Sequence, residues 1–125
     1  METVTVKKLA GIPPYEGPHA IDKIRFRPAG AALGVSAWGM NVLELDAGCD
    51  GYPEHDHQKD GQEEVYVVLR GAIDLVTAEG VTRLEEGDLV RVGPDLRRKL
   101  VTTDRDATVL AIGGTPGKAF ASSLG

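Results

Sequence analysis

Short runs of β-branched and apolar residues alternate with glycine, proline and aspartate over most of this 125-residue chain. The clearest run covers residues 65–69, and a glycine at position 71 predicts a turn that closes it. Because helical periodicity is almost absent, the pattern predicts an all-β fold, an antiparallel sandwich or barrel. The other predicted strands are 4–7, 21–27 (a strand or an irregular crossing), 33–45 with a glycine kink, 72–77, 81–84, 89–92, 98–102 and 108–112. A Thr115-Pro116 step predicts a short C-terminal helix over 117–123.

Length and composition narrow the possible partners and compartment. A chain of 125 residues fits one domain, and its net charge of −5 argues against nucleic acid or an anionic membrane as the partner. Residues 1–10 contain no apolar core of signal-peptide length, and no run of apolar residues is long enough for a membrane span. The single cysteine, Cys49, fits a reducing compartment. We therefore expect a soluble, cytoplasmic protein.

Residues 51–71 carry the candidate chemistry. His55 and His57 are two positions apart, so in an extended segment both imidazoles face the same way. Glu63 and Glu64 stand just before the strand at 65–69. Two imidazoles and one carboxylate form a ligand set that suits iron, manganese, nickel or zinc. The alternative is a pair of polar residues on an exposed loop.

The order His55-x-His57, Glu64, six residues and Gly71 resembles the first conserved motif of the cupin superfamily, in particular its small single-domain members with a conserved barrel. The resemblance implies a double-stranded β-helix, or jelly-roll barrel, over about residues 35–112. An N-terminal arm (1–34) and a C-terminal tail (113–125) would complete a single domain of residues 1–125. It also implies that Glu64 binds the metal while Glu63 points away, and that the chain pairs as a homodimer through edge strands.

The sequence departs from the family pattern in two places. Six residues separate His57 from Glu64, where the family usually has three or four, and the turn-forming residues 59–61 can absorb the difference. The family's second motif usually supplies a third histidine after a Gly-Asp turn and a proline. Here residues 87–94 match that turn, but no histidine follows, and Arg98 stands about where it would be. A guanidinium stays protonated and cannot ligate a metal.

Arg98 and Tyr66 are the candidate catalytic residues. If Arg98 points into the barrel, it could bind a carboxylate, phosphate or enolate that bridges it to the metal. If it points out, it belongs to a solvated basic edge with its neighbours at 97 and 99, and we favour this interpretation. Tyr66 should share the inward face of Glu64, either as an acid or ligand-binding group or as an aromatic residue that fills the barrel.

Four other residues have a structural and a functional interpretation. His19 lies in a proline-rich loop and is an exposed polar residue or a third imidazole ligand. Trp38 and Met40 share one face of a strand and pack in a core or interface, or line the pocket beside the metal. Tyr52 could line the mouth of the barrel.

Two functions remain open from the sequence. The first is a metal-dependent enzyme, of the oxygenase or isomerase type that the resemblance implies, acting on a small and possibly anionic organic molecule. The second is a metal-free barrel that binds a small ligand or regulates without catalysis, which the missing histidine favours. An accessory role through a dimer surface is a weaker third hypothesis.

Overall fold

Seven β-strands dominate the computed structural model, which describes residues 3–121. This confirms the predicted all-β class. The elements in chain order are a 3₁₀ turn at Leu9–Gly11, β1 (Ile24–Arg27), α1 (Ala29–Leu33), β2 (Gly39–Leu45), β3 (Glu63–Thr77), β4 (Gly80–Glu85), β5 (Leu89–Val92), β6 (Arg98–Val101) and β7 (Ala107–Gly114).

The strands form two antiparallel sheets that share β3. The first half of β3 pairs with β7 on one side and β5 on the other, and β7 continues the sheet through β2 to β1. The second half of β3 lies between β4 and β6. Two sheets joined by a strand that bends from one into the other make the jelly-roll barrel that the sequence predicted.

Gly71 marks the bend in β3 and does not end it, so the turn predicted there is wrong. The register between β3 and β7 shifts between Val68 and Arg70, as expected for a β-bulge. Gly71 follows with φ +79°, and a Cβ at this position would lie 1.9 Å from the backbone oxygen of Asp106. Glycine is required here because the neighbouring chain passes where a side chain would stand.

The core lies between the two sheets. Tyr66 and Val68 from the first half of β3 pack in one cluster with Ile73 and Leu75 from its second half. Leu100 of β6 and Val109 of β7 are fully buried in the same cluster. Inward residues alternate with outward ones along β7, as a half-buried strand requires. Cys49 is 1% exposed and packs here as a small apolar residue.

The N-terminal third differs from the prediction in three ways. Residues 4–7 form no strand, and both valines of that segment are exposed. The strand predicted over 33–45 begins only at Gly39, because Leu33 is the last residue of α1, Gly34 caps it with φ +83°, and residues 35–38 are irregular or bent. β1 lies inside the predicted arm 1–34, yet it pairs with β2 as part of the sheet.

The C-terminal residues do not form the helix that the sequence predicts. Residues 116–118 form a turn and residues 119–121 are irregular, so the helix predicted over 117–123 is wrong for its described part. Its last two residues lie outside the described chain. No helix among residues 3–121 has the length and apolar composition that crossing a membrane requires.

Candidate metal centre

The two histidines are held by the backbone at the start of β6. His55 and Arg98 form an isolated antiparallel bridge, with each backbone N–H donating to the other's carbonyl at 3.0 and 2.9 Å. The backbone N–H of His57 donates to the carbonyl of Pro94 at 2.8 Å. The extended segment therefore places both imidazoles on one side, as the spacing predicted, with ring centroids 5.1 Å apart.

Hydrogen bonds donated by Nδ1 fix the orientation of both rings. His55 Nδ1 lies 3.0 Å from the carbonyl oxygen of Pro53, and His57 Nδ1 lies 3.0 Å from Oδ1 of Asp60. Both partners can only accept, so each Nδ1 carries the proton and each Nε2 of a neutral ring presents a lone pair. Such an outer carbonyl or carboxylate is the usual support of a metal-binding imidazole.

Glu64, the second residue of β3, completes the cluster. Its Oε1 lies 3.6 Å from Nε2 of His55 and 3.4 Å from Nε2 of His57. One ligand atom from each of the three residues lies within 4.8 Å of the others. Glu63 points to the opposite side, as predicted, and pairs with Arg91, whose Nε lies 3.0 Å away.

The convergence of these atoms fits a bound cation. His57 Nε2 is buried and has no hydrogen-bond partner. Two imidazole lone pairs facing one carboxylate oxygen repel unless a proton or a metal ion lies between them. The Glu64 carboxylate accordingly raises the pKa of His55, since a proton on that ring relieves the repulsion. The three side chains therefore suit a divalent metal with open coordination positions.

Arg98 points into the barrel, so the outward orientation favoured from the sequence is wrong. Its side chain is fully buried, and Nη2 donates to Oε1 of Glu64 at 2.6 Å. Nη1 donates to the carbonyls of Gly93 and Leu96. The reason is the period of β6, in which Arg98 shares the inward face with Leu100 and the turn before it supplies acceptors. Its neighbour Arg97 is exposed and pairs with Glu54.

A chain of hydroxyl groups also ends on Glu64. Tyr66 is fully buried and donates to Oε1 of Glu64 at 2.9 Å, which confirms its predicted inward orientation. Since Tyr66 uses its O–H for Glu64, the Tyr52 hydroxyl, 3.3 Å away, donates to the Tyr66 oxygen. Burial and the charge of Glu64 raise the pKa of Tyr66 to about 12, so its hydroxyl stays protonated.

The same groups lower the pKa of Glu64. Burial alone would raise it, but the protonated form of His55 and the hydrogen bonds from Arg98 and Tyr66 outweigh burial and bring the pKa from 4.5 to about 2. Glu64 is therefore a carboxylate throughout the neutral range, the form that ligates a metal.

A cavity of about 740 Å³ opens above the cluster and includes His55, His57 and Glu64 in its lining. Tyr52, Trp38 and Met40 line it too; for Trp38 and Met40 the sequence had favoured packing in a core or interface over this position. His19 also lines it but is exposed and does not belong to the ligand cluster of the described residues. Neither Arg98 nor Tyr66 is among the described residues of the lining, so both act on Glu64 from behind.

Sequence reasoning missed two parts of the site. Asp60 was assigned only to the turn, although its position three residues after His57 is the signal that it can reach that ring. The apolar wall of the cavity includes Ile24 and Phe26 of β1 and Phe120 of the tail. No local pattern identifies these three as neighbours of the histidines, because the sheet brings them together over long sequence separations.

Comparison with known proteins gives relatives among solved structures. A sugar phosphate isomerase from a cupin superfamily, from Silicibacter pomeroyi, shares 26% identity over 95% of this chain and 82% of that chain, with a TM-score of 0.76. A predicted oxalate decarboxylase from Thermotoga maritima shares 17% identity over 87% of this chain and 97% of that one, with a TM-score of 0.70.

A third similar structure is the Cupin_2 domain of an XRE family transcriptional regulator from Enterobacter cloacae. It shares 16% identity over 76% of this chain and 99% of that chain, with a TM-score of 0.65. No family profile and no curated protein matches the sequence. The three structures share their fold with this chain, while the functions in their names differ from one another.

Proposed function

The chain belongs to the cupin superfamily, and on this basis we propose that it is a metal-dependent enzyme that acts on a small organic molecule. In the proposal, His55, His57 and Glu64 hold one divalent transition metal, which is iron, manganese, nickel or zinc. The observation that carries it is the convergence of three ligand atoms at the cavity, with His57 Nε2 buried and unpartnered.

Each surrounding residue has a definite task in this proposal. The Pro53 carbonyl and the Asp60 carboxylate hold the two rings with Nε2 toward the centre. Arg98 and Tyr66 hold the Glu64 carboxylate in place and keep it ionised. Because neither of these two lines the cavity, we assign them as positioning residues rather than as groups that touch the substrate.

The metal would supply Lewis-acid polarisation of a substrate oxygen at its open positions. Oxygenase and isomerase reactions are the types that the superfamily resemblance implies, and the sugar phosphate isomerase from Silicibacter pomeroyi is an example among the similar structures. The fold alone does not select between them.

A metal-free binding or regulatory barrel is the second candidate, and one observation favours it. Arg98 already supplies a positive charge to Glu64 at 2.6 Å, at about the place where the family's second motif brings a histidine. A protein with this internal cation has less need of a metal to balance its buried carboxylate. The regulator domain from Enterobacter cloacae is an example of such a context among the similar structures.

Elemental analysis separates the two candidates. The protein is purified without chelator and without nickel affinity, beside a His55→Ala, His57→Ala double variant. We expect near-stoichiometric iron, manganese, nickel or zinc in the parent and none in the double variant. A His19→Ala variant is the matched control, since this imidazole lines the cavity outside the ligand cluster, and it should keep its metal.

Two results would contradict the metalloenzyme proposal. One is a parent that stays as empty as the double variant after anaerobic loading with iron(II) and separate loading with the other three ions. The other is metal that both proteins retain equally, which would place the ion elsewhere.

A further inference from the structure

The wall of the cavity lacks fixed positive charge. Its described lining contains no lysine and no arginine. Apart from the three ligand candidates, its polar groups are the side chains of His19, Ser36, Asn41 and Gln62, the tyrosine hydroxyls and the Trp38 indole N–H, and His19, Ser36 and Trp38 are exposed. A phosphoryl group would therefore meet no lysine or arginine in this wall, and burying its charge beside neutral and apolar side chains costs binding free energy.

Three arginines close to the wall are committed elsewhere, while Lys59 and Lys118 line a separate pocket that adjoins the cavity at Gln62 and Phe120. β1 alternates Ile24 and Phe26, which line the cavity, with two arginines on its other face. Arg25 and Arg27 both donate to Oε1 of Glu44, at 3.2 and 2.6 Å. Arg98 is held by Glu64 and two backbone carbonyls behind the cluster. None of the three is available to an anion in the cavity.

The remaining wall is apolar and aromatic. It includes Ile21, Ile24, Phe26, Trp38, Met40 and Leu43. A volume of about 740 Å³ lies within the range of pockets for drug-sized molecules, which bind mainly by burying apolar surface around a few fixed polar groups. Here the fixed polar groups are the two imidazoles and the carboxylate at the metal centre.

We infer that the ligand of this site is a mainly apolar, ring- or chain-bearing organic molecule with one oxygen-donor head group at His55, His57 and Glu64. A phosphorylated sugar does not fit this wall. The head-group part rests on the proposed function, because a metal is what would bind a carboxylate or enolate oxygen there. The apolar part rests only on the wall.

A matched pair of probes tests the inference. 2-Naphthoate and glucuronate are similar in size and carry one carboxylate each, but only naphthoate has an apolar body. Isothermal titration calorimetry is run with the full chain, both loaded with the metal found by elemental analysis and treated with chelator. We expect naphthoate to bind at least about tenfold more tightly than glucuronate, because its body gains apolar burial.

Variants of the wall assign the effect to this cavity. Met40→Gln keeps the side-chain length and adds a polar group, and it should weaken naphthoate binding about tenfold without weakening glucuronate binding. Ile24→Thr repeats the test in a shape that a strand tolerates. Val81→Gln is the control, since Val81 is 66% exposed on β4 and does not line the cavity.

The outcomes separate this inference from the proposed function. The inference is supported if naphthoate binds more tightly than glucuronate and loses affinity in Met40→Gln and Ile24→Thr. If chelator also weakens naphthoate binding, the carboxylate head group contacts the metal. Metal-loaded protein that binds glucuronate or glucose 6-phosphate as tightly as naphthoate overturns the inference and leaves the metal centre intact. Naphthoate affinity unchanged in both wall variants also overturns it.

Discussion

At the scale of single residues, Asp60 supports one of the two imidazoles from outside the ligand set. Its carboxylate accepts from His57 Nδ1 at 3.0 and 3.2 Å. Asp60→Asn removes the negative charge, and the amide can turn its NH₂ group toward the ring and favour the wrong tautomer. We expect metal affinity to fall about tenfold or more, as for other outer-sphere partners of ligating histidines.

Competition with a metal-sensitive dye measures that affinity. Asp56→Asn is the control, because Asp56 lies between the two histidines but its carboxylate accepts from the backbone N–H of Gln58 and not from an imidazole. Equal metal affinities in Asp60→Asn and Asp56→Asn would show that Asp60 does not support the metal site.

Arg98 is the residue whose loss should cost the fold most. Arg98→Met leaves the Glu64 carboxylate largely buried without its closest cation, and breaking such a pair destabilises by about 3 kcal/mol or more. Arg97→Met is the matched control, since that side chain is 60% exposed and should change stability by about 0.5 kcal/mol or less. Urea denaturation in chelator measures both.

Added metal should restore part of the stability of Arg98→Met, because the ion replaces the missing positive charge. Equal stability of the two variants in chelator would mean that Glu64 does not need the guanidinium.

Glu64 links stability to acid pH. Its pKa is about 2 in the folded protein and 4.5 when unperturbed, so folding favours the carboxylate. The resulting stability is fully present above pH 4.5 and is lost as pH falls toward 2, and a difference of this size corresponds to roughly 3 kcal/mol. In chelator, the free energy of unfolding of the parent should therefore fall more steeply between pH 4.5 and 2 than that of Glu64→Gln.

Glu63→Gln provides the comparison for this titration, because Glu63 is its exposed neighbour and pairs with Arg91 on the outer side. Its stability should follow the parent's pH dependence closely. If the free energy of unfolding of Glu64→Gln changed with pH in parallel with that of the parent, Glu64 would have the same pKa in the folded and unfolded states.

The site residues also show how far local sequence reaches. The spacing of His55 and His57 and the position of Glu64 relative to Gly71 were enough to predict which three side chains converge in the structure. Arg98 was placed outward because its charge was weighed above the period of its strand. Its buried position depends on Glu64, which is 34 residues away, and no local pattern reveals that partner.

At the scale of elements, the bend of β3 depends on one glycine. Gly71→Ala would place a Cβ 1.9 Å from the oxygen of Asp106 and force alanine to φ +79°. Neither the Cβ, which is fixed to the backbone, nor the Asp106 oxygen can move away without shifting the main chain. We therefore expect the free energy of unfolding to fall by at least about 2 kcal/mol, or the protein to fail to fold. Thermal and urea unfolding measure it.

Two further glycines separate the causes of that loss. Gly80→Ala meets strain at φ +131° with no atom within 4 Å, so it should cost less than Gly71→Ala. Gly11→Ala meets neither strain nor contact and should be close to neutral. A Gly71→Ala protein as stable as Gly11→Ala would contradict the account of the bend.

Elements were predicted best where both of their faces follow a simple pattern. The hairpin of β4, the alternation in β7 and strand β5 could be read directly from the sequence. β2 was predicted too long because Leu33, Val35 and Ala37 continue its apolar alternation, whereas Leu33 ends α1 and residues 34–38 form a turn and a bend before the strand. β3 was divided at Gly71 because glycine at a bulge and glycine at a turn look alike in sequence.

At the scale of the whole molecule, metal binding and folding should be linked. The three ligand candidates come from β3 and from the 55–57 segment, whose backbone is held by Pro94 and by Arg98, about 40 residues further along the chain, so folding is what fixes the ligand set. A metal present at roughly 100 times its dissociation constant should stabilise the folded state by about 2.7 kcal/mol. We expect calorimetry to show a Tm several degrees higher with metal than with chelator.

The His55→Ala, His57→Ala variant is the control for this shift. It should lose the metal-dependent rise and keep the same Tm with or without chelator. A rise of equal size in the variant would mean that the ion stabilises the protein at another place.

The order of strands in the first sheet has a consequence for how the chain emerges from the ribosome. β7 lies between β2 and β3, although it is synthesised after all six other strands. Until residues 107–114 appear, the nascent chain exposes the β7-facing edges of β2 and β3, which can pair with other chains. A stalled or truncated chain that lacks β7 should therefore be a substrate for chaperones, and the barrel can close only when that strand is inserted.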